Sequence, residues 1–420
     1  MAKIVRLNQQ MQEYHYSELP NGVRTIHKEI NYTKIAHVGI MLDIGSRDED
    51  STQKGIAHFW EHMAFKGTHK RKSFHIINRL ESLGGELNAY TTKEKICFYA
   101  SILDIHIEKA VELLIDIVFN SAFPEKQIEK ERQVILEEMS MYQDTPEDAI
   151  MDEFDEIIFD EHPLGCNILG TEQSVKSISK TDFTHFIKAH INFKKIVFSS
   201  LGNISSKKID RLINKHLAPL EAQLSTHQRS IFDGYQPHHQ SKNREISQVH
   251  HLMGLPAYSL HDPKRIPFYL LTNILGGPAM NSRLNLSLRE KHGFVYGVEA
   301  QFLSYTDVGL FSIGFATDPA NFKRSKSLVL QEIKKLQNHT LSEGQLRAAK
   351  GQLKGQMAMS EENNNAMMLM MAKSLLDLDK IPALDEVLKK IDLITAVELR
   401  EIAKEVLQVD QMSSLTFMPH

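Results

Sequence analysis

Residues 55–68 read Gly55-Ile56-Ala57-His58-Phe59-Trp60-Glu61-His62-Met63-Ala64-Phe65-Lys66-Gly67-Thr68, with an H-x-x-E-H pattern at His58, Glu61 and His62. On a helix, His58 and His62 lie one turn apart and face the same way. Two imidazoles at that spacing can share one zinc ion. Glu61, three positions after His58, reaches the same face and can act as a base toward water. The flanking Phe59, Trp60, Met63, Ala64 and Phe65 are apolar. Histidines and a glutamate among them are costly unless paired or metal-bound.

Catalytic zinc keeps three protein ligands and an open position, so a third ligand has to come from elsewhere. Residues 123–141 offer carboxylates for it. Glu131 and Glu138 are two turns apart on one helix face, with Val134, Ile135 and Leu136 between them. Glu129 and Glu137 fall on other faces, where a solvated carboxylate is the default.

His58-Phe-Trp-Glu61-His62, followed by Met63-Ala64-Phe65-Lys66-Gly67-Thr68, resembles the pitrilysin-type zinc metallopeptidases, the inverzincins. The resemblance implies Glu138 as third ligand and Glu131 as a supporting residue behind the ligands. Gly84-Gly85-Glu86-Leu87-Asn88-Ala89-Tyr90-Thr91 resembles the family's G-G-x-x-N-A-x-T edge strand. Glu86, Leu87, Asn88, Ala89, Tyr90 and Thr91 are therefore expected to pair with an extended substrate. Leu288-Arg289-Glu290-Lys291-His292-Gly293-Phe294-Val295-Tyr296 is similar to the family's L-R-E-K-x-G-x-x-Y segment. It implies that Arg289 and Tyr296 hold the substrate and steady the oxyanion of the reaction.

The chain of 420 residues is long enough for two or three domains. A net charge of -4 and a pI near 6.6 give no sign of a nucleic-acid partner. No apolar run reaches the ~20 residues needed to span a membrane. The start, residues 1–13, shows neither a signal-peptide core nor an Arg-rich transit peptide. Cys97 and Cys166 are the only cysteines, so no disulfide framework exists, and a cytoplasmic location is expected.

The chain repeats itself. Residues 123–139 and 341–357 align at a constant offset of 218, and each half closes with a helix followed by a strand. This pattern indicates duplicated domains. Strands clustered among long helices give an α+β fold: two α/β sandwich domains, each a mixed, mostly antiparallel sheet with helices packed on one face. The expected division is 1–217 for the metal-binding domain, 218–247 for a linker and 248–420 for the second domain. Under the offset, Glu138 corresponds to Gln356 and Glu131 to Ala349. The second half lacks H-x-x-E-H, with Arg265-Ile-Pro-Phe-Tyr-Leu-Leu in that region. Met357, Met359, Met367, Met368, Met370 and Met371 read as core on long helices.

The expected activity is zinc-dependent endopeptidase cleavage of extended peptides or unfolded segments, with one Zn2+ per chain. Members of the resembled family enclose substrate between two halves of two domains each. This chain supplies one half, which implies a homodimer. The alternative is a non-catalytic structural or assembly subunit of the same family.

Overall fold

The computed structural model describes residues 13–420. Of the start read over residues 1–13, residues 1–12 lie outside them. The strands are β1 (His15–Glu18), β2 (Arg24–Glu29), β3 (Ile35–Leu42), β4 (Glu86–Thr91), β5 (Ile96–Leu103), β6 (Ile196–Gly202), β7 (His239–Arg244), β8 (Val249–Ala257), β9 (Val295–Ser304), β10 (Gly309–Thr317) and β11 (Ser413–Pro419). The helices are α1 (Ile56–Ala64), α2 (Ser73–Glu81), α3 (Ile107–Phe119), α4 (Glu125–Asp144), α5 (Pro146–Ile158), α6 (Glu172–Ser177) and α7 (Lys180–His190). They continue with α8 (Ser206–His216), α9 (Arg265–Gly276), α10 (Phe322–Asn338), α11 (Glu343–Glu361), α12 (Asn364–Leu378), α13 (Leu384–Leu393) and α14 (Ala396–Val406).

The chain forms two compact units, each discontinuous in sequence. The first takes residues up to 139, 166–229 and 359–383; the second takes 140–165, 230–358 and 384–420. The sheet of the first runs β1-β2-β6-β3-β5-β4, and that of the second β7-β11-β8-β10-β9. One pair in each is parallel, β2 with β6 and β7 with β11, and the others are antiparallel. Strand for strand, β2-β6-β3-β5-β4 repeats as β7-β11-β8-β10-β9. The duplication seen in the helical segments thus extends to sheet order, and the fold is α+β.

Side chains alternate across each sheet. In the first unit Phe98 of β5 meets Trp60 of α1, while its neighbour Cys97 packs with Met41, Met367, Met368, Met371 and Leu375. Helices therefore cover both faces, where one was expected. The second cover is α12, which lies on β3 and β6. Gly39 makes room for it: a Cβ there would sit 3.0 Å from Met368 Sδ. In the second unit α5 has the matching place on β8 and β11, burying Ile150, Phe154 and Ile157 with Leu252, Leu415 and Phe417. Each unit so takes one helix from the other half of the sequence.

β7 falls inside the stretch expected to be a linker. Its residues are polar and mostly exposed, and backbone pairing with β11 alone makes it a strand. His239 Nδ1 lies 2.9 Å from Ser414 Oγ. Among the described residues no helix is long and apolar enough to cross a membrane.

Candidate metal centre

Helix α1 starts where Gly55 adopts a left-handed conformation, φ +89°, with its Cα side pressed against the chain: a Cβ would lie 2.4 Å from the Leu169 carbonyl oxygen. Glu49 caps the helix. Its carboxylate accepts from Gly55 N at 2.7 Å and Ala57 N at 2.9 Å, two of the N–H groups a helix start leaves unpartnered. Burial pushes the Glu49 carboxyl up to about 8, with those N–H donors opposing. The apolar face of α1 buries Phe59, Trp60 and Met63 completely. Phe59 meets Phe183 edge-on, and Trp60 meets Phe98 and Phe186. That packing fixes the rotation of α1 and turns His58, Glu61 and His62 to a common side.

Helix α4 buries Ile128, Glu131, Arg132, Ile135 and Met139, one stripe at helical spacing. Glu131 within that stripe and the partly buried Glu138 beside it lie toward α1, whereas Glu129 and Glu137 are exposed. His58, His62 and Glu138 each offer one atom, and these atoms lie within 4.8 Å of one another. Glu138 Oε2 is 3.5 Å from His62 Nε2 and 3.9 Å from His58 Nε2. These separations are long for hydrogen bonds. They approach the roughly 3.3–3.4 Å between ligand atoms that each stand ~2.0–2.1 Å from a tetrahedral zinc. Two imidazoles and one carboxylate are also the donor types zinc takes in open sites. The residues fit the ion.

Behind the cluster, Glu131 lies 3.3 Å from His62 Nδ1 and 2.7 Å from Lys66 Nζ. His58 Nδ1 is buried without a hydrogen-bond partner. Burial and the neighbouring His62 bring His58 down to about 4, against Glu138. Burial would lower His62 as well, but Glu131, Glu138 and Glu61 outweigh it and raise it to about 9. Despite burial, the Glu131 carboxyl stays below its ordinary value, held there by His62 and Lys66. Glu61 is raised by burial, while the Thr91 hydroxyl and His62 pull the other way. A half-buried carboxylate so raised is a stronger base.

The expected substrate strand, Glu86–Thr91, is β4 and stands at the sheet's edge, paired among the described residues on one side only, with β5. Its open edge is a template for one more strand. Arg289 and Tyr296 belong to the second unit and are brought together there. Arg289 sits in a π-helical turn, Asn285–Lys291, with its guanidinium 5.4 Å from the Tyr296 ring centroid. Tyr296 is 88% exposed at the start of the edge strand β9. Where the first unit has its cluster, the second has a neutral contact: Asn273 of α9 donates to Gln356 of α11 at 3.1 Å.

Two imidazoles and a carboxylate beside a separate carboxylate base form the ligand-and-base pattern of metallopeptidases. Comparison with known proteins agrees. The family model described as Insulinase (Peptidase family M16) matches residues 24–172, and Peptidase M16 inactive domain matches residues 177–353. An uncharacterized zinc protease of Mycobacterium leprae is 31% identical over 93% of this chain and 88% of its own length. One from Bacillus subtilis is 29% identical over 94% of this chain and 96% of its own. The crystal structure of a protease from Helicobacter pylori superposes with a TM-score of 0.87 at 19% identity, over 97% of this chain and 99% of that one. The chain belongs to peptidase family M16, in its short two-domain, pitrilysin-type form.

Proposed function

We propose that this protein is a zinc-dependent endopeptidase that cleaves extended peptides. The observation that carries the reading is the convergence of His58, His62 and Glu138 beside Glu61, which is not itself needed as a ligand. His58 Nε2, His62 Nε2 and Glu138 Oε2 would hold the ion. The chemistry zinc supplies when bound is Lewis acidity, which activates water and polarises a carbonyl near neutral pH. Glu61 takes the water proton and returns it to the leaving amine. The open edge of β4 pairs with the peptide main chain, which is sequence-tolerant and favours unfolded substrates. Family membership and the exposed Arg289–Tyr296 pair support a dimeric chamber in which these two groups steady the oxyanion. The free thiols Cys97 and Cys166 support a reducing, cytoplasmic setting.

Elemental analysis tests the ligand set. About one zinc per chain is expected, and weaker binding in Glu138→Gln, because a neutral amide replaces a charged ligand. Full occupancy in that variant at limiting zinc removes Glu138 from the set.

A further inference from the structure

Thr91 is the last residue of β4, and its Oγ1 donates to Glu61 Oε2 at 2.6 Å. That is the short separation of a hydroxyl bonded to a carboxylate. We infer, building on the peptidase reading above, that Thr91 is a positioning residue: it aims the Glu61 carboxylate and ties it to the strand that receives the peptide. A threonine hydroxyl has one proton to give. With that proton on Oε2, Oε1 is the oxygen left to take one from water. The anchor is stiff at both ends. Thr91 is β-branched, with few side-chain rotamers, and its backbone is registered against Ile96 of β5. Glu61 stands on α1, whose rotation is set by buried Phe59 and Trp60.

The neighbouring Thr92 shows what a merely structural threonine does in the same place. Its hydroxyl bonds within its own turn, donating to the Lys95 carbonyl and accepting from Lys95 N. Thr91 instead reaches thirty residues back along the chain to the base. A peptide added along β4 would run past this hydroxyl, so strand pairing and base alignment share one residue.

The test is Thr91→Val, which keeps size and β-branching and removes the hydroxyl. A hydrogen bond to a charged group, once lost, is expected to lower kcat about 10- to 100-fold, with KM within about threefold. Zinc content should be unchanged. Thr91→Ser should restore kcat to within about threefold of wild type. In a Glu61→Gln background, Thr91→Val should cost nothing further in residual turnover, and peptide affinity by fluorescence anisotropy should not move, because the two residues act as one unit. The inference is overturned if Thr91→Val changes kcat by less than about threefold. It is equally overturned if KM rises at constant kcat, or if the loss recurs in full without Glu61. Should the valine variant fail to fold by circular dichroism, Thr91→Ala with the same serine comparison decides. Zinc-loaded wild type that cleaves no peptide removes the peptidase reading as well; an active wild type indifferent to Thr91→Val removes this inference alone.

Discussion

Glu131→Gln should weaken zinc binding without abolishing it. Glu131 is 8% exposed and sits 3.3 Å from His62 Nδ1, with its other oxygen 2.7 Å from Lys66 Nζ. With zinc bound, the carboxylate would hold the remaining His62 proton on Nδ1 and leave Nε2 as the donor atom. An amide removes the charge and also takes away the anionic partner of Lys66. Outer partners of metal-binding histidines typically contribute 10–100-fold in affinity, roughly 1.4–2.7 kcal/mol. Glu138→Gln, which alters a proposed ligand, should lose more. Glu137→Gln, on the exposed face of α4, should lose nothing. Competition against a chromophoric chelator at fixed pH measures all three variants. Zinc affinity of Glu131→Gln within about threefold of wild type would refute the relay from Lys66 through Glu131 to His62.

Arg229 donates to both oxygens of Asp48 at 2.9 and 2.8 Å and to Asp43 at 2.9 Å. Arg229→Met leaves these carboxylates without that partner and should cost about 3–5 kcal/mol in urea unfolding. Burial would raise the Asp48 carboxyl, but His227, Arg229 and Gly45 N–H hold it well below its ordinary 3.8. A folded-state pKa below the unfolded one gives stability that is present above pH ~4 and lost as pH falls through the folded value. Wild type should therefore weaken on acidification, and Arg229→Met should show a shallower acid dependence by circular dichroism. The proposed dimer has its own test. A mixed dimer of Glu61→Gln and Tyr296→Phe chains should regain activity over both mutant homodimers if Tyr296 completes the partner's site. Activity no higher than the better homodimer would place both residues on the same chain's site.

His58, Glu61 and His62 were legible because their relation is local, one helical turn. From spacing alone Glu131 and Glu138 were legible only as a pair; the family resemblance supplied their separate roles. Their shared helix face says nothing about which one meets an imidazole Nε2 and which an Nδ1, because the packing of α4 against α1 decides that. Glu49 was missed. It caps α1 from six and eight residues before its two N–H donors, outside the usual capping spacing. The Thr91–Glu61 contact joins a strand to a helix and carries no spacing signal. β7 reads His-Gln-Ser-Lys-Asn-Arg, with no apolar alternation to reveal a strand. α5 and α12 are recognisable helices, but an amphipathic face does not state which sheet it will cover. Strand β4, with a motif of its own, falls on the expected residues.

Under the proposed function, this site hydrolyses peptide bonds through zinc and Glu61. The direct measurement is cleavage of an internally quenched, unstructured peptide by zinc-loaded protein, beside chelator-treated and Glu61→Gln samples. Wild type should cleave, lose activity with the chelator and regain it with zinc, while Glu61→Gln keeps its zinc and its fold but loses ~10²–10⁴-fold in turnover. Zinc-loaded wild type that leaves every peptide intact would rule out the peptidase and favour a structural or assembly subunit; Glu61→Gln that cleaves at the wild-type rate would rule out Glu61 as the base.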